Sequence, residues 1–240
     1  MIKQNLEKQI INHIQVNQYQ NRPIVIGITG NIASGKTTLA QKIYDLCYQE
    51  FPSLICNLVS TDDFLLDNKK LQRRQLMKYK GFPISYDQTM IDKFVMAINH
   101  NRLINIPCYN HVMNDVDKQH LKQIFMPDII VLEGLMVMQP KFRSMLTMSL
   151  FLNTNLDQNF QWYVKRCHDL GLNKIYQLNW EDYNKFIRQA WQQINIPNFV
   201  ENVLPFREQA DFQLDISADH QIEQIRSITA QTMTTKMVGI

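Results

Sequence analysis

The residues with the clearest chemistry are Gly30-Asn31-Ile32-Ala33-Ser34-Gly35-Lys36-Thr37, which fit the pattern G-x-x-x-x-G-K-[ST]. Glycines at these two places let the backbone curl until successive N–H groups point inward at a phosphate. The N-terminus of a following helix adds partial positive charge. Gly30, Asn31, Ala33, Ser34, Gly35, Lys36, Thr37 and Thr38 are therefore expected to hold the phosphates of a nucleotide. Lys36 should reach the outer phosphates, and the Thr37 hydroxyl should serve Mg²⁺. Only seven glycines occur in the chain, yet Gly27, Gly30 and Gly35 fall within nine residues, so a chance match in a glycine-rich turn is a poor explanation.

Two acidic positions complete a phosphoryl-transfer set. Residues 54–59 read as a buried strand followed by Ser60-Thr61-Asp62-Asp63, and residues 129–132 as another followed by Glu133-Gly134. Ligands of open parallel sheets sit at the carboxyl ends of strands. An acid after an apolar run there can hold Mg²⁺ directly or through water, which makes Glu133 the metal partner of Thr37. The adjacent pair Asp62 and Asp63 stands at the end of the other run, on the edge where a ligand would sit.

These groups need a scaffold that brings strand ends together. Apolar runs at 24–28, 54–59, 129–132, 148–152 and 212–216 read as strands, and helical periodicity lies between them: Leu39, Ile43, Leu46 and Cys47, then Ile91, Phe94, Val95 and Ile98, then segments 160–168 and 184–194. Residues 104–112 read as a short extended piece, and 69–80 as a basic, mobile segment covering the site. The pattern predicts an α/β fold of the P-loop NTPase type, a mainly parallel sheet with helices on both faces plus a helical lid. No linker-like composition divides the chain, so one domain over 1–240 is expected, with a leading helix in 1–22 and lid and substrate-side helices in 160–200. Trp162 and Trp191 read as packing aromatics.

Composition narrows the function classes. A net charge of +3, with 20% charged residues and no long block of one sign, does not suggest a nucleic-acid or anionic-membrane partner. Cys47, Cys56, Cys108 and Cys167 are scattered without a C-x-x-C pair, which suggests neither a zinc site nor a disulfide framework. The first twenty residues lack the apolar core of a signal peptide, and no stretch approaches the length of a membrane span. A cytoplasmic protein is the expectation. The guanine-reading N-K-x-D is absent, since Asn68-Lys69 and Asn173-Lys174 are not followed by an acid at the right place. A small-molecule kinase is therefore favoured over a GTPase switch.

From Gly30 onward the sequence resembles the bacterial type I pantothenate kinases, grouped with uridine kinase and phosphoribulokinase. The blocks GNIASGKTT, STDDFL, LMKYKGFPISYD, PDIIVLEGLMVMQ and INIPNFVENVLPFREQADFQLD carry the resemblance, with PCYNHVMNDV a looser sixth. They run in family order over about three quarters of the chain, and residues 81–87 and the block around Asn202 are its most specific parts. The resemblance implies ATP and Mg²⁺ as cofactors and transfer of the γ-phosphoryl group to the primary hydroxyl of pantothenate, the first step toward coenzyme A. It implies catalytic roles for Asp62 as the base that takes a proton from the hydroxyl, with Asp63 beside it keeping the identity of the base open, for Lys36, and for Arg166 on a lid. It also implies pantothenate contacts from Tyr109, His111, Tyr163 and Asn202, and it suggests a homodimer.

The chain departs from the family pattern at Asp63, where glycine is usual, at Phe206, where threonine is usual, and at Asn114, where an aromatic is common. Most of the family's N-terminal extension is missing. These changes touch the substrate side more than the phosphate side. A nucleoside kinase of the uridine/cytidine type and a nucleotide-binding regulator with weak catalysis are the alternatives that follow.

Overall fold

The computed structural model describes residues 2–20 and 22–228, with side chains from residue 5 onward. Residues 1, 21 and 229–240, which the single-domain expectation includes, lie outside the described residues. Helix α1 (Ile2–Asn17) opens the chain and buries Leu6, Ile10 and Ile14, which its four-residue spacing places on one face. Strand β1 (Ile24–Gly30) is buried throughout and runs through the phosphate-loop motif into α2 (Lys36–Glu50). Strand β2 (Cys56–Ser60) ends in a 3₁₀ turn, Thr61–Phe64, that carries both aspartates.

The next elements lie in the chain between β2 and the third strand of the main sheet. They are α3 (Asn68–Arg73), α4 (Gln88–Asn99) and an antiparallel hairpin of β3 (Ile104–Asn110) and β4 (Asp115–Ile124). The extended piece expected at 104–112 is thus half of a hairpin. Its partner strand is exposed along 118–121, so it lacks the apolar alternation by which a strand is recognised. Strand β5 (Ile129–Glu133), α5 (Pro140–Arg143) and β6 (Met148–Asn153) follow, then α6 (Leu156–Asp169), α7 (Trp180–Ala190), α8 (Ile196–Asn202), β7 (Phe212–Ile216) and β8 (Ile222–Ser227).

The main sheet has the order β2-β5-β1-β6-β7-β8, parallel except for β8, which pairs antiparallel with β7. Its five parallel strands are those expected from the apolar runs. One face is covered by α1 and α2, and the other by α4, α5 and the hairpin, with an apolar core on each side. In the middle of the sheet β1 lies between β5 and β6, so the phosphate loop sits beside Glu133, with Ile28 opposite Glu133 in register. Across the next pairing Ser60 lies opposite Glu133, which brings the aspartates to the same edge.

Helices α6 and α7 enclose a separate apolar cluster of Cys167, Tyr183 and Ile187, against which Tyr163 and Phe186 pack. The helix expected over 184–194 is α7, which starts earlier and passes through a π-helical turn, Trp191–Asn195, into α8. The cover segment after β2 is tied down at both ends: Lys118 pairs with Asp67, and Lys80 bonds to Asn68 Oδ1 at 2.9 Å.

Candidate active site

Lys36, Thr37, Asp62, Glu133 and Arg166 line one cavity of about 750 Å³, together with Ala33, Ser34, Gly35 and Thr38. Gly35 caps α2 with φ +93, a left-handed conformation that glycine adopts without the cost a side chain would add. On the opposite wall a side chain at Gly134 would collide with the buried Thr61, so the backbone there passes close to the base of the aspartate turn.

The phosphate loop is arranged for an anion. Lys36 is buried and its ammonium donates to Asn31 O at 2.6 Å. Burial lowers its pKa to about 8, opposed by the neighbouring Glu133 carboxylate. Asn31 Nδ2 and Ser34 Oγ are buried without a hydrogen-bond partner. Unpaired buried polar atoms are costly, and phosphate oxygens would satisfy both. The donor set therefore fits a nucleotide.

Thr37 and Glu133 fit a magnesium ion. The Thr37 hydroxyl donates to Glu133 Oε1 at 3.3 Å, which offers two oxygen ligands beside the phosphate loop. Mg²⁺ commonly takes one or two protein oxygens and fills its octahedron with phosphate and water. Burial raises the Glu133 pKa, with Lys36 acting against it.

The adjacent aspartates have different environments. Asp62 lines the cavity, and its Oδ1 accepts a bond from the buried Tyr86 hydroxyl at 3.3 Å. Residue 86 is fixed by backbone pairing, since Leu66 N donates to Ser85 O and Asp87 N to Phe64 O. Asp63 is buried and fully engaged: it accepts from Tyr109 N at 2.7 Å and Ser60 N at 3.3 Å, and it faces Lys122 Nζ at 3.6 Å. Lys122 also donates to Leu58 O. The residue found where the family has glycine thus clamps the hairpin to the end of β2. Only Asp62 is free to meet a ligand.

Arg166 projects from α6 across the cavity, and its guanidinium donates to His111 Nδ1 at 3.3 Å. That bond places the proton of a neutral His111 on Nε2. Burial, and then Arg166, lower the His111 pKa, so the ring is neutral at pH 7. The Tyr109 and His111 rings meet edge to face, with centroids 5.1 Å apart. The structure thus groups Tyr109 and His111 with Arg166 beside Asp62.

It does not bring the other two expected substrate contacts into that group. Tyr163 packs in the lid cluster, its ring centroid 5.4 Å from Trp191. Asn202 donates to Asn198 Oδ1 at 3.0 Å, and Asn198 in turn donates to Gly81 O. Asn202 thus braces the cover segment.

The far end of the cavity was not foreseen from sequence. It is walled by Leu6 and Ile10 of α1, Ile43 and Leu46 of α2, and Ile222 of β8, with His220 at the β7–β8 turn stacked on Trp162 at 3.8 Å between centroids. Trp162 does pack, as expected, but its partner is a cavity-lining ring. A lone histidine in a polar turn carries no periodic signal, and His220 is placed only by the sheet order.

Comparison with known proteins agrees with this geometry. Residues 25–223 match the phosphoribulokinase / uridine kinase family. The chain is 32% identical to the pantothenate kinase of Rhizobium rhizogenes, over 92% of this chain and 74% of that protein. It is 33% identical to the pantothenate kinase of Mycobacteroides abscessus, over 85% and 71%. Among solved structures, D-glycerate 3-kinase from Cryptococcus neoformans shares the fold, with a TM-score of 0.67 at 12% identity over 93% of this chain and 98% of that one. The chain belongs to the phosphoribulokinase / uridine kinase family of P-loop kinases, in its bacterial type I pantothenate kinase group.

Proposed function

We propose that this chain transfers the γ-phosphoryl group of ATP to the primary hydroxyl of pantothenate, the first step toward coenzyme A. What supports the reading is the convergence of Lys36, Asp62, Glu133 and Arg166 on one cavity, with Tyr109 and His111 beside Asp62, in a chain whose relatives are named pantothenate kinases.

Asp62 is the base. A primary hydroxyl is a weak nucleophile, and a carboxylate facing the γ-phosphate orients it and takes its proton as the phosphoryl group leaves. Lys36 binds the outer phosphates, and Arg166 neutralises charge on the moving group from the lid side. Mg²⁺, held by Thr37 and Glu133, supplies further charge neutralisation when bound. His111 donates through Nε2–H to the substrate with Tyr109 beside it, while Tyr163 and Asn202 act on the substrate side indirectly, from the lid cluster and from the brace on the cover segment.

We also infer a cytosolic enzyme, where ATP is available, acting on a small molecule as a homodimer. No helix among the described residues is long and apolar enough to cross a membrane.

A coupled assay with ATP and, in parallel, pantothenate, uridine and cytidine tests the reading. Pantothenate should be phosphorylated with the highest kcat/KM. A higher value for either nucleoside would replace the substrate and leave the phosphate machinery standing.

A further inference from the structure

Asn114 joins four segments at the substrate side. Its Oδ1 accepts the Tyr109 hydroxyl at 2.7 Å, and its Nδ2 lies 3.4 Å from the Tyr176 hydroxyl on the loop between α6 and α7. Its backbone oxygen accepts from Asn68 Nδ2 at 3.0 Å and from Lys80 Nζ, and the Lys80 ammonium lies 5.2 Å from the centre of the Tyr109 ring. The residue sits at φ +49, a left-handed conformation that asparagine tolerates better than most side chains.

The consequence is one of hydrogen-bond polarity. A phenol has one proton to give and lone pairs to accept with. Tyr109 gives its proton to Asn114, so the oxygen has only lone pairs left for a ligand. Burial and the nearby Asp62 charge both hold the phenol in its neutral form. Asp62 is itself an acceptor and near enough for its charge to act on the Tyr109 phenol, so both groups call for donors on the bound molecule.

We propose that Asn114 is a specificity-determining residue: by taking the Tyr109 proton it makes the pocket select an alcohol that carries a second hydrogen donor, a hydroxyl or an amide N–H, close to the hydroxyl that is phosphorylated. The inference rests on the pantothenate reading, since pantothenate carries both a secondary hydroxyl and an amide N–H near its primary hydroxyl. Asn114 acts through Tyr109 and is a positioning residue.

The test compares pantothenate with two analogues that put an acceptor where a donor stood, one with the secondary hydroxyl oxidised to a ketone and one with the amide replaced by an ester. In the wild-type enzyme the analogue that loses the donor read by Tyr109 should fall ~10- to 100-fold in kcat/KM, as expected when a buried acceptor is left unpaired. Asn114→Gly keeps the backbone conformation and removes Oδ1, which frees the Tyr109 proton. There the gap between pantothenate and that analogue should shrink to about threefold, with KM for ATP unchanged. Asn114→Asp restores an oxygen at the same place and should restore the gap. Equal turnover of all three compounds by the wild-type enzyme, or an undiminished gap in Asn114→Gly, would overturn the inference and leave the pantothenate reading intact. Failure of the wild-type enzyme to phosphorylate pantothenate would overturn both.

Discussion

The Asp63 carboxylate lies 3.6 Å from the Lys122 ammonium and accepts the Tyr109 backbone N–H at 2.7 Å, while its chain neighbour Asp62 faces the cavity. The two acids of one short turn therefore have separate duties. Asp63 holds the hairpin that carries Tyr109 and His111 at a fixed distance from the strand end that carries Asp62. A slack joint there would misplace the substrate, and small misplacements cost much of the rate.

The first prediction separates these duties. Asp62→Asn keeps size and hydrogen bonding but cannot accept a proton, so kcat should fall ~10²- to 10⁴-fold with ATP affinity nearly intact. Asp63→Asn should change kcat much less and should instead lower stability by roughly 1–3 kcal/mol, since a buried pair loses one charge. Steady-state kinetics and urea unfolding on both variants check this, and the reverse ranking in kcat would make Asp63 the base.

Lys36 governs a second expectation, in pH. With a pKa of about 8 in the free protein, the Lys36 ammonium is present below that value and lost above it. ATP needs the cation, so its dissociation constant should be flat near pH 7 and rise above about pH 8. Direct nucleotide titration without the alcohol substrate isolates this from Lys80, whose pKa is also lowered to about 8 by burial. Lys36→Ala should abolish the pH dependence, weaken ATP binding and cut turnover ~10³-fold or more.

The bond between Arg166 and His111 gives a third. Arg166→Ala should depress kcat more than the affinity for either substrate, because the charge it meets develops during transfer. It should also raise the His111 pKa, since the guanidinium helps to hold it down, while burial keeps it below the usual histidine value. An NMR titration of the His111 ring reads this, and an unchanged pKa would mean that the two do not meet in solution.

Substrate contacts supply a fourth. His111→Ala removes a half-buried donor and should raise KM for pantothenate roughly 5- to 150-fold, with KM for ATP almost unchanged. Asn202→Ala should act in the same direction. An effect of Asn202→Ala that Asn198→Ala reproduces in full would show that Asn202 works by bracing Gly81 rather than by touching the substrate.

A fifth concerns the ring stack of His220 on Trp162 at the far end of the cavity. His220→Ala should raise KM for ATP by about 2- to 10-fold, the range of one aromatic contact, and leave KM for pantothenate unchanged. Equal KM values for ATP in wild type and variant would remove His220 from the nucleotide site.

Much of the phosphate side was legible in the sequence because its signals are local. A phosphate loop needs its glycines, lysine and threonine at fixed chain spacing, since neighbouring backbone N–H groups do the binding. Buried parallel strands are continuous apolar runs, so all five were found, and their carboxyl ends located Asp62 and Glu133. The β3–β4 hairpin and β8 escaped because strands that face solvent or lie at a sheet edge need no such run.

What the sequence by itself determined is the phosphate-loop pattern, with the residues it proposes for a phosphate, and the sheet that aligns them. What only the tertiary structure decided is which of two adjacent aspartates is spent on Lys122 and Tyr109, which proton Tyr109 gives away, and which rings meet at the far end of the cavity. These depend on partners 46 or more residues away in the chain, as for Asp63 with Tyr109, or 5 residues away across a hairpin turn, as for Tyr109 with Asn114. The direction of a side chain, and the partner that takes its hydrogen bond, are set by packing between elements. Residue type and spacing leave both undetermined.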